Sequence, residues 1–311
     1  MSPTDIDLQG GAGFLSFHQD ERAAQALAGQ GASRAAIRPF MPDQHRAFFA
    51  LLPYLFAAAS DERGWPMASV LTGETGFVQS PDPVTLRIAA LPASDDPARR
   101  GFVAGAEIGL LGLDFTTRRR NRANGRLVAV DDGLTVRIAQ SFGNCAQYIQ
   151  TRRPTSRPAN HPTPEELGGL DVAARALIAS SDSFFVASRS RPEMGAEGGL
   201  DMSHRGGRPG FVGVQGDQLA IPDFRGNRFY NTLGNLLGEP RAGLIFIDFA
   251  SGDILQLQGT VTIDWHPDDG PAGAERLWRV TVERAWRRRG AFPFAWTFGD
   301  YAPTTLATGV W

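Results

Sequence analysis

Only one cysteine, Cys145, occurs in 311 residues, so no internal disulfide can form. An excess of one charge is also missing. The formal net charge of -2 removes the basic surplus that a general nucleic-acid or membrane-surface binder would carry. No apolar run approaches the roughly 20 residues of a membrane span. The N-terminal MSPTDIDLQGG has neither the basic nor the apolar region of a secretory leader. By elimination we expect a cytoplasmic protein with neither a membrane nor a nucleic acid as partner. The five histidines are scattered without metal-ligand spacing, so no metal site is expected.

Glycine, proline and aromatics are plentiful. Punctuation by 36 Gly and 21 Pro favours many short strands over long helices, and 20 Phe with six Trp suffice for two cores. Sliding the chain along itself by 134 residues aligns Ser69, Gly73, Gly76, Phe77 and Val78 with Ser203, Gly207, Gly210, Phe211 and Val212. At the same offset Gly109, Leu110, Asp114, Phe115 and Gly125 fall on Gly243, Leu244, Asp248, Phe249 and Gly259. These ten identities compare with roughly three or four expected by chance, and a fixed offset is the mark of duplication.

Each copy holds six or so short runs rich in β-branched, aromatic and Leu residues, several too apolar for a sheet with one wet face. We therefore expect a mainly β fold, two tandem barrels with flanking helices that form an intrachain pseudo-dimer. The expected divisions are an extension over 1–42, a first barrel over 43–150, a linker and helix over 151–180, and a second barrel over 181–311. Residues 43–52 (DQHRAFFALL) suggest a helix before the first barrel. Gln150 to Pro162 is polar and Pro-rich and reads as the linker. In the following HPTPEELGGLDVAARALIASS, Thr163 as N-cap, Pro164 and Glu166 predict a helix start.

Function should lie where the copies differ. In PDFRGNRFYNTLGNLLGEPR, Asn227 reads as the N-cap of a helix from about Arg228, flanked by Arg225 and preceded by Gly226. Backbone N–H groups, the helix dipole and guanidinium groups would there converge on a phosphate. The first copy has Asp95 and Asp96 at this place, which would repel one. Conversely, the first copy carries TTRRRNRANG, with Arg118, Arg119, Arg120 and Arg122. It reads either as a solvated hairpin tip or as a group reaching an anion held by the other half. In SFGNCAQYIQTRR, Cys145 reads as a small apolar side chain, and Asn144 and Gln147 as ligand hydrogen-bonding groups.

The runs SDSFFVASRS, DMSHRGGRPGFV, LAIPDFRGNRFYNTLGNLLGEPRAGLIFIDF and GDILQLQG, with FGNCAQYI, resemble the pyridoxamine 5'-phosphate oxidase-like FMN-binding split-barrel family, in a branch with two barrels per chain. The resemblance covers about residues 43–290. It implies FMN in the cleft between paired barrels, with its phosphate on Arg205, Asn227 and Arg228. Ser203, Pro222 and Asp223 would lie nearby, and Arg119, Arg122, Asn144 and Gln147 would come from the other half. It further implies an FMN-dependent oxidoreductase acting with a small-molecule substrate or an electron donor such as NAD(P)H, as a monomer or a homodimer. The alternative is a flavin or haem carrier or sensor. The C-terminal AFPFAWTFGDYAPTTLATGVW does not match the family's Arg- and His-bearing substrate segment, so vitamin B6 oxidation is not implied. No general acid or base can be named from the sequence.

Overall fold

A computed structural model describes residues 16–30, 36–158 and 160–311. The first half contains β1 (Tyr54–Ser60), β2 (Pro66–Thr72), β3 (Val78–Asp82), β4 (Thr85–Ile88), β5 (Glu107–Asp114), β6 (Arg119–Val130) and β7 (Leu134–Asn144). After β8 (Arg152–Ser156) and β9 (Glu165–Leu167), the second half contains β10 (Ser183–Arg189), β11 (Leu200–Gly206), β12 (Gly213–Gln215), β13 (Gln218–Phe224), β14 (Arg241–Ile247), β15 (Ile254–Asp264) and β16 (Ala274–Arg288). β17 (Phe294–Phe298) follows. The helices are α1 (Gln19–Leu27), α2 (Asp43–Ala50), α3 (Val172–Ser180), α4 (Asn231–Gly238) and α5 (Pro303–Leu306). Among the described residues no helix is long and apolar enough to cross a membrane.

The fold is mainly β, two split barrels with flanking helices. One sheet has the antiparallel order β2-β1-β5-β6-β7-β4-β3 and the other β11-β10-β14-β15-β16-β13-β12, so the same path is traced twice. Gly109 pairs with Ala58 on β1, and Gly243 with Ala187 on β10, at matching places in the two paths.

Two pairs of shared glycines have a physical reason. A Cβ on Gly109 would lie 2.6 Å from the carbonyl oxygen of Leu200, and one on Gly243 would lie 2.4 Å from that of Pro66. Each glycine thus lets one barrel press its backbone against the other. Gly125 and Gly259 sit where β6 and β15 slip register against their neighbours, and a Cβ at either would strike a facing carbonyl. Such bulges sharpen the local twist that curls a sheet.

The interface between the barrels is apolar and aromatic. Phe56 of β1 stacks on Phe185 of β10 with centroids 3.5 Å apart, and Ala58, Leu111, Ala187, Met202 and Ile245 are buried around them. Burial of this kind stabilises at about 25 cal/mol per Å² of apolar surface.

Three local expectations need correction. Residues 150–162, read as linker, hold β8, which pairs with β17; its Arg152 is buried, bonds Asp182 at 2.5 Å and lies 4.0 Å above the Phe249 ring. Pro164 and Glu166 do not start a helix. Residues 165–167 form β9 against β16, with Glu166 bonding Arg284 at 3.0 Å, and α3 begins later under the Asp171 cap. Pairing with an open strand edge wins here over the capping pattern. Lastly, α4 starts at Asn231 rather than Arg228, because Arg228 and Tyr230 take left-handed backbone (φ 61° and 59°) that no helix continues.

Candidate anion-binding cleft

All 31 basic side chains of the Lys and Arg type are arginine, so any anion is met by guanidinium forks. Strand alternation decides which of them face inward. On β6, Arg120 and Arg122 share one face and point toward the second barrel. Arg119 lies on the other face, exposed, with its guanidinium 4.8 Å above Phe48. Of the residues expected to contact the ligand, Arg119 is thus placed outside the cleft, and Arg120 stands where it was expected. The RRRNR run is therefore no uniform solvated tip.

Two adjoining pockets share Arg122, Arg205, Asp223, Phe224, Gly226 and Asn227. The first extends to Arg228, Asn231, Thr232 and Arg276, and the second to Arg120, His204, Asn144, Cys145, Gln147, Tyr148 and Pro222. Ser203 forms part of the floor: its hydroxyl accepts from Arg122 at 2.6 Å and from Thr232 at 2.8 Å. Arg122 also faces Asp201 at 3.3 Å, and Asp201 accepts from Asn124 at 2.7 Å and Asn235 at 3.0 Å. Asp223 accepts from Arg276 at 2.9 Å and faces Arg205 at 3.7 Å.

Arg228 donates to Gln30 at 2.7 Å, and Asn227 accepts from the Phe229 N–H at 3.2 Å, so neither caps α4. Cys145 is part-exposed in the cleft, not a buried apolar filler, and its sulfur accepts from Arg120 at 3.6 Å.

Guanidinium groups outnumber carboxylates here, and several polar atoms are incompletely used. Among the described residues the Nε atoms of Arg120, Arg122 and Arg205, Asn144 Nδ2, His204 Nε2 and the Tyr230 hydroxyl are buried without a hydrogen-bond partner. Buried donors left unpaired are costly. Burial, and then the adjacent Arg120 and Arg205 charges, push the His204 pKa well below its ordinary value, so this imidazole is neutral at pH 7. Burial first, then repulsion by Arg205 on Arg120 and by Arg276 on Arg205, likewise lower these two groups. An anion would relieve both. At Gly226 the nearest atom to a hypothetical Cβ is 4.0 Å away, which leaves the backbone open to a ligand.

The equivalent cleft on the other side is closed. Ser69 takes the place of Ser203, Leu71 that of Arg205, Gln256 that of Arg122 and Arg288 that of Asn144, as the strand pairings align them. There Arg288 bonds Asp95 at 3.0 and 3.1 Å and faces Asp96 at 3.5 Å, while Asp96 accepts from Ser69 at 2.6 Å and Gln256 at 2.9 Å. Asp95 and Asp96 do more than repel an anion. They fill its place as partners of an arginine. A hollow lies outside this plug, lined by Asp61, Met67, Asp96, Arg99 and Trp286. Although larger, it shows no comparable set of unpartnered donors.

Sequence reasoning missed His204, which sits in the DMSHRGGRPGFV run but has no metal-ligand spacing, and Arg276, a single residue on β16 with no motif around it. It also missed Asn231 and Thr232, which the shifted start of α4 brings to the cleft, and Glu21, which lies in the extension.

No family model matches the chain, and no curated protein does. Among solved structures, the chain is similar to HupZ of Group A Streptococcus (12% identity, TM-score 0.30, 40% of this chain and 98% of that one). It is also similar to a FAD-binding protein of Mesorhizobium loti (11%, TM-score 0.28, 40% and 97%). A third is a Clostridium acetobutylicum protein related to general stress protein 26, described as of the pyridoxinephosphate oxidase family (14%, TM-score 0.28, 42% and 92%).

Proposed function

We propose that this chain is an FMN-binding oxidoreductase of the split-barrel type, descended by internal duplication, that holds one flavin in the cleft between its halves. The observation that carries the reading is the asymmetry of the two clefts: one gathers guanidinium groups whose donors are only partly used, and the other spends its charges on itself. In this reading Arg122, Arg205 and Arg276, with Asn231 and Thr232, hold the phosphate, and Ser203 fixes Arg122 from below. Asn227 and Arg228 border that end. Pro222, Asp223, Asn144 and Gln147 border the ring, together with Arg120 and the neutral His204. When bound, the flavin supplies the redox chemistry, and the protein supplies position, electrostatics and exclusion of water. Substrate and electron donor would approach past Tyr148, whose hydroxyl donates to the Arg225 carbonyl at 2.9 Å across the mouth. A carrier that performs no chemistry would use the same residues, and reduction of the bound flavin by NAD(P)H separates the two.

FMN titrated into the apoprotein, followed by quenching of flavin fluorescence, should saturate at one equivalent per chain. Two equivalents of similar affinity would contradict the asymmetry, and no binding would overturn the flavin assignment.

A further inference from the structure

The cleft has a wall that belongs to neither barrel. α1 packs across α4 so closely that a Cβ on Gly234 would lie 2.6 Å from Glu21 Cα. Its side chains grip the segment that turns through left-handed backbone before α4. Gln25 donates to the Phe229 carbonyl at 3.2 Å, Gln30 accepts from Arg228, and the Glu21 carboxyl accepts from the Asn231 amide. Among the described residues no such helix covers the corresponding 3-10 turn of the first half, residues 97–101, and the hollow bounded by Met67, Asp96 and Arg99 lies open. The N-terminal helix therefore serves the anion cleft specifically.

We infer that α1 is part of the anion site and that Glu21 makes binding there proton-linked, the anion being held by the form in which this carboxyl keeps its proton. The inference rests on the anionic-ligand reading above. Glu21 is 3% exposed, and its second oxygen accepts from the His18 backbone N–H at 2.9 Å. His18 cannot serve as its counter-charge. Its Nδ1 accepts from the Glu21 N–H and its Nε2 faces Asn235 Oδ1 at 2.9 Å, which fixes a neutral ring, and burial lowers its pKa.

The other charged groups around Glu21 are few. On its own helix, Asp20 is taken up by Arg191 at 2.6 and 2.9 Å. Arg22, next on the same helix, turns to the Phe17 carbonyl; β11 contributes Asp201 and β6 contributes Arg122, Glu197 acts on His18, and α4 presents amides and a hydroxyl. One arginine, Arg122, is thus shared by Asp201, by Glu21 when ionised and by any anion in the cleft. Burial first, and Asp201 second, push the Glu21 pKa up to about 8. At neutral pH the carboxyl is protonated, so of the two acids that compete for Arg122 an anion meets only Asp201. Above pH 8 it ionises, and an arriving anion must either face a second carboxylate or draw a proton back.

The test uses the full chain with two probes, FMN and inorganic phosphate, titrated between pH 6.5 and 9. For the wild type the dissociation constant, corrected for the probe's own phosphate ionisation, should be flat below about pH 7.5 and rise toward tenfold per unit above about pH 8, the slope of one linked proton. In Glu21→Gln it should stay flat. Calorimetry of the wild type at pH 9, in two buffers of different ionisation enthalpy, should find up to one proton taken up per ligand, a readout that needs no variant. Equal pH profiles in both proteins, or no proton uptake, would overturn the role of Glu21 and leave the flavin reading standing. Phosphate binding with this proton linkage but without FMN binding would support the role of Glu21 and reject the flavin. Binding of neither probe would overturn both.

Discussion

Arg288→Ala should destabilise the chain by about 3–5 kcal/mol in equilibrium denaturation, the range for removing one partner of a buried ion pair. Its side chain is 2% exposed, and those of Asp95 and Asp96 are 6% and 0% exposed. Without the guanidinium, two carboxylates in one desolvated pocket would face each other, with only Ser69, Gln256 and the part-exposed His161, 3.7 Å from Asp95, to answer them. Combining Asp95→Asn and Asp96→Asn with Arg288→Met should recover most of the loss, since the charges then leave together. A single variant as stable as wild type would mean that this cluster is hydrated and does not plug the second cleft.

Arg205→Ala should weaken FMN binding by about ten- to a hundredfold, as expected when a charge-assisted hydrogen bond worth about 1.5–3 kcal/mol is lost. Arg205 is the clearest difference between the two clefts, since Leu71 occupies its place in the other. Its salt contact with Asp223 is long at 3.7 Å, and its Nε has no partner among the described residues, so much of its donor capacity remains for a ligand. Arg228→Ala should cost less, because Gln30 already engages that guanidinium at 2.7 Å. Equal dissociation constants for wild type and Arg205→Ala, measured by fluorescence titration, would remove Arg205 from the site.

The sheet content, the 134-residue offset and the asymmetric placing of Arg205 against Leu71 were legible in the sequence. Each depends on a residue's relation to its own strand or to its match in the repeat. Less legible was whatever depended on partners far along the chain. β8 and β9 became strands because β17 and β16 offered edges, and local Pro and cap signals could not reveal that. Asp95 and Asp96 read in the sequence as hostile to an anion, whereas the structure makes them partners of Arg288, which lies in the other half. Glu21 lies in the segment 1–42, which read only as an extension to the first barrel. The His18–Glu21 capping box was the one local sign that a helix starts there.

The cleft draws Arg120, Arg122, Asn144 and Gln147 from one half and Ser203, Arg205, Asp223 and Asn227 from the other, and one covalent chain carries both. Where two separate chains build such a site, it disappears on dilution below their dissociation constant, and its apparent affinity depends on protein concentration. Here the second half is always present at the effective concentration set by its tether. Ligand affinity should therefore be independent of protein concentration down to trace amounts. Each half is also free to change alone: a substitution in one cleft is not forced upon the other, so under the proposed function one pocket can serve as a ligand site while its counterpart is an ion-paired strut.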